Sequence, residues 1–375
     1  MTERAGRRIL VTGLGTYWGS RIAQHLEGNP GVDLVVGVDT RDPRLPLEKT
    51  EFVRADSSYS ILQRIVRATQ VDTILHTHLL VDSVGNSSRT LHEVNVIGTM
   101  NLLAAAGAAG SPVRKVIVKS STLVYGSNFA DPFFFREDME RTRPPKTSVE
   151  RSLLEVAAVV RDFADDNPHV LVTKLRFADV IGPNCETPFG RLLRLPAVPE
   201  IGGFDPRLQF VHEDDVADAL AHATLHDVPG VYNVAGDGVL PWSEVAGIAG
   251  KRRIPLSPLL TGLAAAPLRM LRVADLPPEL LALLRYGRGV DTSQWQQAGY
   301  EYHHTTVGTV TAFAEAIRLE TTVGREREYK YERDVETFFR HSPAVVREPS
   351  PLVDAASAVS SGEPAEPVSP AATET

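Results

Sequence analysis

The chain has 375 residues, a net charge of −8 and a hydrophobic fraction of 43%. It is therefore longer than one average domain and has enough apolar residues for a large core. About half of the acidic excess lies beyond residue 342, so the rest of the chain is only mildly acidic and gives no support for nucleic-acid binding. The single cysteine, Cys185, excludes an intrachain disulfide and fits a reducing, cytoplasmic location.

The N-terminal residues carry basic side chains but no apolar stretch of the kind found in signal peptides. No apolar run reaches the roughly 18 residues that a bilayer-spanning helix needs. We therefore expect neither a signal peptide nor a transmembrane segment, and we expect no metal site.

The first predicted elements are a strand over Arg8–Val11, a glycine-containing turn and a helix over Ser20–Leu26. This arrangement binds a pyrophosphate at a helix N-terminus, since glycines permit a tight turn and close approach of backbone to phosphate. A second strand over Leu34–Val38 ends in Asp39. A carboxylate there accepts hydrogen bonds from ribose hydroxyls and repels a 2′-phosphate, so the sequence predicts a dinucleotide site that prefers NAD to NADP.

Strand and helix patterns continue to alternate, which is typical of a doubly wound parallel sheet. The further predicted elements are strand Glu51–Val53, helix Ser58–Ala68, strand Asp72–His76, helix Ser88–Gly107, strand Val113–Lys119, helix Ser148–Ala164 and strand Val170–Arg176. We therefore expect an α/β, Rossmann-like doubly wound parallel sheet with a smaller C-terminal substrate subdomain.

The pattern loosens beyond Pro183, where prolines interrupt it. The segment Leu259–Leu284 is very apolar with a helical period, which favours a small helical subdomain over contact with a membrane or lipid. The last residues are rich in Pro, Ala, Ser and Glu and lack the apolar content to fold. The predicted division is an NAD-binding domain over 1–183, a substrate-side subdomain with returning Rossmann elements over 184–340, and a disordered tail over 341–375.

Several short motifs follow one another in order along the chain. They are Thr12-Gly13 with Gly19, Asp39, Asp56, Asn95-Val96-Ile97-Gly98-Thr99, Ser120-Ser121-Thr122-Leu123-Val124-Tyr125-Gly126, Leu175 to Pro183, and Phe210-Val211-His212-Glu213-Asp214-Asp215-Val216-Ala217. Together they resemble the motifs of the extended short-chain dehydrogenase/reductases, the NAD-dependent epimerase/dehydratase family, over roughly residues 7 to 320.

The resemblance implies NAD as the cofactor, although Thr16 stands where the family has the middle glycine of the phosphate loop. For His76 an alternative is open, namely a strand-end residue that makes local hydrogen bonds. The residues implied to bind the cofactor are Gly13, Gly15, Thr16, Trp18, Gly19, Asp39, Asp56, His76, Asn95 and Arg151.

The largest departure from the family concerns its catalytic helix. The resemblance implies a Tyr-x-x-x-Lys pair that transfers protons beside a serine, matched here by Ser121, but Thr147 and Arg151 stand at the tyrosine and lysine positions. Thr147 has no acid/base function near neutral pH, and arginine titrates too high to be tuned. The sequence from Thr147 to Glu150 also matches a capping box, which favours a helix N-cap. Tyr125 stays open as a substitute acid/base.

The resemblance also directs attention to residues near the substrate. Asp179 replaces a family asparagine, and Leu208 replaces the arginine that holds the diphosphate in nucleotide-sugar members, with Arg207 one residue earlier. Other arginines are candidates for an anionic substrate or are solvated surface residues: Arg191, Arg194, Arg285 and Arg288.

Three functions follow as hypotheses. The leading one is an NAD-binding epimerase/dehydratase-like protein with oxidoreductase or isomerase chemistry on a small molecule, specifically a nucleotide sugar. The rival is a catalytically inactive NAD-binding regulator or scaffold. A third, drawn from the apolar segment Leu259–Leu284, is a steroid- or lipid-alcohol dehydrogenase. A homodimer stays open.

Overall fold

A seven-stranded parallel sheet forms the centre of the protein, whose structure is a computed structural model that describes residues 6–257 and 276–323. Along the sheet the strand order is β3-β2-β1-β4-β5-β6-β11, and every neighbouring pair is parallel. The strands are β1 (Arg7–Thr12), β2 (Val32–Asp39), β3 (Glu51–Arg54), β4 (Thr73–His76), β5 (Lys115–Ser121), β6 (Leu171–Phe177) and β11 (Gly230–Val234).

This order confirms the predicted doubly wound fold. The chain runs outward from β1 through β2 to β3, and then returns to β4 on the other side of β1. Such a reversal opens a crevice at the carboxyl ends of the strands, which is where open α/β sheets bind ligands.

Helices cover both faces of the sheet, and apolar side chains from both layers form its core. On one face α1 packs against α7, and on the other α2 packs against α4. The helices of these layers are α1 (Tyr17–Glu27), α2 (Tyr59–Thr69), α3 (Ser88–Leu91), α4 (Gly98–Ala106), α5 (Ser148–Asp166) and α7 (Glu213–Leu225).

Each element predicted over the first 180 residues is present, with ends that differ by at most three residues. The predicted helix over Ser88–Gly107 differs in kind, because a π-helical segment over His92–Ile97 joins α3 to α4. Such segments are rare and are frequent at functional sites. Here the segment contains Asn95, whose side chain contacts the loop after β4.

Shorter elements follow the end of β6, and β11 then returns to the main sheet. Parallel pairs join β7 to β10 and β8 to β13, whereas β9 and β12 are antiparallel. These elements are β7 (Asp179–Ile181), α6 (Pro188–Arg194), β8 (Ala197–Ile201), β9 (Arg207–Leu208), β10 (Phe210–His212), β12 (Leu240–Pro241), α8 (Trp242–Ile248), β13 (Arg252–Leu256), α9 (Pro278–Tyr286), α10 (Ser293–Gln297) and α11 (Thr306–Val323).

The predicted boundary after residue 183 stays a prediction. The predicted tail over 341–375 and most of Leu259–Leu284 lie outside the described residues. Among the helices that are described, none is long and apolar enough to span a membrane.

Two buried acids at the start of α7 hold the loops that follow β7 and α10. The Glu213 carboxylate accepts the Cys185 N–H at 2.7 Å, and Asp215 accepts the N–H groups of His303 and His304 at 2.9 and 3.1 Å. Hydrogen bonds to a charged group stabilise more than neutral ones. The acids of the Phe210–Ala217 motif thus position backbone around the crevice.

Candidate active site

The turn from β1 to α1 is built on two glycines that no larger residue fits. Gly13 has a φ of +79°, and a Cβ on it would lie 2.8 Å from the Cβ of His78. A Cβ on Gly19 would lie 2.1 Å from the carbonyl oxygen of Gly13. The start of α1 therefore packs directly against the end of β1, as a phosphate-binding turn requires.

Thr16 is the N-cap of α1 and closes this turn with its hydroxyl. The Oγ1 atom donates to the carbonyl of Gly13 at 2.7 Å and accepts the N–H of Gly19 at 3.1 Å. Thr16, which stands where the family has a glycine, thus caps the helix. The N–H groups of Tyr17 and Trp18 lie in the first turn, where no intrahelical acceptor exists, so they are left for an anion.

Asp39 ties this turn to the end of β2. Its fully buried carboxylate accepts the N–H of Gly15 at 3.0 Å and the N–H of Arg41 at 2.9 Å. Oδ1 also accepts from the Thr40 hydroxyl at 3.5 Å, whereas Oδ2 keeps a further lone pair for another donor. The acid therefore lies beside the glycine turn, while Asp56, after β3, is exposed and accepts the Ser58 N–H at 3.0 Å.

His76 ends β4 and joins three elements. Its Nδ1 lies 2.7 Å from Thr12 Oγ1 and its Nε2 lies 3.0 Å from Thr99 Oγ1. Burial lowers the pKa of His76 to about 3, so the ring is neutral near pH 7. This geometry favours the alternative interpretation of His76, in which its ring makes local hydrogen bonds within the protein.

Asn95 clamps the loop that follows β4. Its Oδ1 accepts the N–H of Leu80 at 2.7 Å, and its Nδ2 donates to the Leu80 carbonyl at 2.9 Å and to Ser152 Oγ at 3.0 Å. The side chain is fully buried, so all of these partners belong to the protein. Asn95 therefore ties the loop that follows β4 to Ser152 of α5.

Ser121, at the end of β5, borders a cavity of about 60 Å³. Its Oγ accepts the N–H of Leu123 at 3.2 Å, which leaves the hydroxyl proton for another acceptor. The cavity lies between α1, the carboxyl ends of β5 and β6, and α9. Its polar and aromatic lining residues include Trp18, Lys119, Phe177, Asp179 and Glu279.

Lys119 is a lining residue that the sequence reasoning missed. It is 5% exposed, and its Nζ lies 4.8 Å from the centre of the Trp18 ring and 5.6 Å from that of Phe177. Burial lowers the pKa of Lys119 to about 8. A sequence signal existed, since a lysine interrupts the apolar run of a central strand that is buried on both faces.

Glu279, the second residue of α9, is another lining residue that was missed. Its Oε1 accepts the N–H of Ser83 at 3.1 Å, whereas its buried Oε2 has no hydrogen-bond partner among the described residues. The Ser121 cavity therefore contains both an acidic and a basic side chain with unused hydrogen-bonding capacity.

Thr147 caps α5 as the sequence predicted. Its Oγ1 accepts the N–H of Glu150 at 3.1 Å, and Glu150 Oε2 accepts the N–H of Thr147 at 3.3 Å. Arg151 is exposed, and its guanidinium makes no hydrogen bond or ion pair to any residue that the structure describes. Neither Thr147 nor Arg151 lines the Ser121 cavity.

Tyr125 is buried on the other side of β5 from this cavity. Its hydroxyl donates to Asn233 Oδ1 at 2.9 Å and accepts from an Arg176 nitrogen at 2.6 Å, while its ring stacks on Phe135. Burial raises the pKa of Tyr125. The hydroxyl is thus engaged in a structural network, and this geometry gives no support to an acid/base role.

A larger cleft, of about 480 Å³, lies between the loop after β8 and the end of α9. Arginine and aromatic side chains line it together: the Arg285 guanidinium lies 4.9 Å from the Phe204 ring and 5.2 Å from the Tyr286 ring. The buried Nε of Arg285 has no hydrogen-bond partner within the described chain. Arg207 and Arg288 also border this cleft.

An ion pair lies between this cleft and the Ser121 cavity. Arg288 borders the cleft, Asp179 borders the cavity, and their charged groups lie 3.3 Å apart. Arg288 also donates to the Gly126 carbonyl at 3.2 Å, so both of its terminal nitrogens are held. Arg191 lines neither space and forms an ion pair with Asp82.

Comparisons with known proteins place this geometry in context. A family model described as the NAD-dependent epimerase/dehydratase family matches residues 9–235. An uncharacterized protein of Mycobacterium tuberculosis is 35% identical over 309 residues, which are 80% of this chain and 81% of that protein. The UDP-glucose 4-epimerase of Erwinia amylovora is 29% identical over 188 residues, which are 46% of this chain and 53% of that enzyme.

Solved structures share the fold. The UDP-glucose 4-epimerase of Thermotoga maritima, with UDP-glucose, matches with a TM-score of 0.65 and 20% identity over 84% of this chain and 99% of that one. The UDP-glucuronic acid 4-epimerase of Bacillus cereus, in complex with NAD, matches with a TM-score of 0.63 and 19% identity. The match covers 83% of this chain and 96% of that enzyme's chain.

Proposed function

Since the chain belongs to the NAD-dependent epimerase/dehydratase family, we propose that it carries out oxidoreductase or isomerase chemistry on a nucleotide sugar at Ser121. The observation that carries this proposal is the cleft of Arg285, which lies next to the Ser121 cavity across the Arg288–Asp179 ion pair. A nucleotide in the cleft would place its sugar toward that serine.

The residues of the β1–α1 turn fit NAD, the cofactor of this family. The close-packed turn at Gly13 and Gly19 leaves the N–H groups at the start of α1 for the pyrophosphate. Asp39, held beside that turn, has a lone pair on Oδ2 for a ribose hydroxyl and a negative charge that opposes a 2′-phosphate. When bound, the nicotinamide supplies a hydride acceptor and donor.

The chemistry of the cleft fits a nucleoside diphosphate. Its volume of about 480 Å³ falls within the roughly 300–1,000 Å³ of small-molecule sites. Guanidinium groups bind phosphate oxygens, and aromatic faces such as Phe204 and Tyr286 stack on a base. The name of the Erwinia relative and the UDP-glucose bound to the Thermotoga enzyme support the same substrate class. Nothing in the described residues favours a steroid or lipid alcohol.

A second candidate, a catalytically inactive NAD-binding regulator or scaffold, is favoured by one observation. Thr147 is engaged in a capping box and Arg151 is exposed, so the two positions of the family's proton-transfer pair contain no group that exchanges a proton near neutral pH. Binding of both ligands without turnover would distinguish this candidate.

Calorimetry with UDP-glucose and saturating NAD tests the proposal. Arg285→Ala removes a guanidinium from the cleft and should weaken UDP-glucose binding about 10-fold or more, because hydrogen bonds to charged groups contribute about 1.5–3 kcal/mol. Arg253→Ala is the matched control, since Arg253 lies on β13 in a partly exposed ion pair with Glu200. UDP-glucose affinity that is unaffected by Arg285→Ala would contradict the substrate assignment.

Turnover is measured on the same preparations as conversion of UDP-glucose to its 4-epimer. The leading proposal predicts product from the wild type and less from Arg285→Ala. Tight binding of NAD and UDP-glucose with no product would instead support the regulator.

A further inference from the structure

Lys119 differs from the other buried lysines in what surrounds its amine. Lys115 donates to the carbonyl of Thr224 at 3.2 Å, and Lys174 donates to the carbonyl of Ala157 at 3.3 Å. The Nζ of Lys119 makes no hydrogen bond to any residue that the structure describes, and it lies over the rings of Trp18 and Phe177. Because a buried ammonium without a hydrogen bond is costly, this arrangement requires a reason.

The position of Lys119 relative to Ser121 supplies one. Residues two apart on a strand project from the same face, with side chains about 6.6 Å apart along the strand. Both residues line the cavity at the carboxyl end of β5. A long, flexible lysine side chain can therefore place its amine beside a group held by the Ser121 hydroxyl.

We propose that Lys119 is the proton-transferring catalytic residue of the Ser121 cavity and takes the role of the tyrosine that α5 lacks. This inference rests on the proposed NAD-dependent function. In the oxidation step the carbon–hydrogen bond of the substrate alcohol breaks and its hydride passes to the bound cofactor. The hydroxyl proton passes to the neutral amine of Lys119, and a carbonyl forms. Reversal of both transfers restores the alcohol.

The charge of this amine is set by its surroundings. Burial lowers the pKa of Lys119 to about 8, so a substantial neutral fraction exists near physiological pH. The thiol of Cys185 is the ionisable group that acts on this amine, and burial raises the pKa of that thiol well above its usual range. Asp179 and Glu279 also line the cavity. The neutral amine is the proton acceptor, so oxidation should become faster as pH rises through about 8.

The first test measures protons rather than turnover. NAD carries a positive charge on its nicotinamide ring, and a cation near Lys119 lowers the pKa of its amine further. At pH 8 a group of pKa about 8 is half protonated, so NAD binding should release up to about 0.5 proton. Calorimetry of NAD binding in two buffers of different ionisation enthalpy gives this number.

Three variants make the measurement specific. Lys119→Met and Lys119→Arg should bind NAD within about tenfold of the wild-type Kd and lose the proton release, since neither side chain loses a proton near pH 8. Lys119→Arg keeps the positive charge, so it provides the measurement if the methionine variant does not fold. Lys174→Met is the matched control, because Lys174 is also buried with a pKa lowered to about 8 but lies outside the cavity, and its proton release should equal that of the wild type.

Turnover of UDP-glucose provides the second readout. Lys119→Met should lower kcat by a factor of about 10²–10⁴, which is the rate gain from a positioned acid/base. It should also remove the increase of the oxidation rate as pH rises toward 8. Wild-type turnover in Lys119→Met, or proton release equal to that of the wild type, would overturn the role of Lys119. A loss of turnover confined to Glu279→Gln would assign the proton transfer to Glu279 instead. Failure of the wild type to bind NAD would refute the proposed function itself.

Discussion

The capping box of α5 leads to a prediction that separates a structural from a chemical role for Thr147. Thr147→Ala removes the acceptor of the Glu150 N–H and leaves the second arm, from Glu150 to the Thr147 N–H, in place. Loss of an N-cap side chain costs about 1 kcal/mol, so the unfolding equilibrium constant should rise about fivefold. Thr147→Ser keeps the hydroxyl and should retain nearly all of the stability.

Urea unfolding followed by circular dichroism measures this difference, with the midpoint expected to fall and the slope to stay unchanged. Because Thr147 does not line the Ser121 cavity, the NAD affinity and the turnover of Thr147→Ala should equal those of the wild type. Stability within about 0.3 kcal/mol of the wild type, combined with lost turnover, would refute the capping argument and assign chemistry to the hydroxyl.

Three further predictions concern the cofactor side of the crevice. Asp39→Ala should weaken NAD binding and relax discrimination against NADP; equal wild-type affinities for the two dinucleotides would contradict the role of Asp39. Gly13→Ala should lower both the melting temperature and the NAD affinity, because Gly13 has a φ of +79° and a Cβ there would lie 2.8 Å from that of His78. His76, with its pKa lowered to about 3 from 6.5, binds protons more readily in the unfolded chain. Its contribution to stability is therefore fully present above pH 6.5 and is lost progressively as pH falls toward 3. The stability lost by pH 5 is about 2 kcal/mol. Unfolding at pH 7.5 and 5 should thus show a smaller pH dependence for His76→Asn, and equal dependence in both proteins would refute this assignment.

The sequence predicted the fold and the family correctly because both depend on local patterns. Alternating strands and helices specify a doubly wound sheet, and the order β3-β2-β1-β4-β5-β6-β11 confirms it. The glycine turn and Asp39 lie within one βαβ unit, so their proximity also follows from the chain order. The matched family confirms NAD as the cofactor at the level of the family.

Several predicted residues are present at the crevice with partners that the sequence did not reveal. Asn95 contacts Leu80 and Ser152, and His76 contacts two threonines, so their side chains act within the protein. A motif specifies which residue stands at a position, but the hydrogen bonds available to that residue depend on which helices pack nearby. For this reason the cofactor assignments of Asn95 and His76 stay predictions.

The sequence by itself determined the order of elements, the glycine turn between β1 and α1 and the capping box at the start of α5. Only the tertiary structure placed Lys119, Asp179 and Glu279 around one cavity, and only it joined Arg288 to Asp179. These residues lie far apart along the chain, and the packing of α9 against the carboxyl ends of β5 and β6 brings them together. Sequence periodicity reports which face of an element is buried, whereas the residues that meet across the crevice are decided by how separate elements pack.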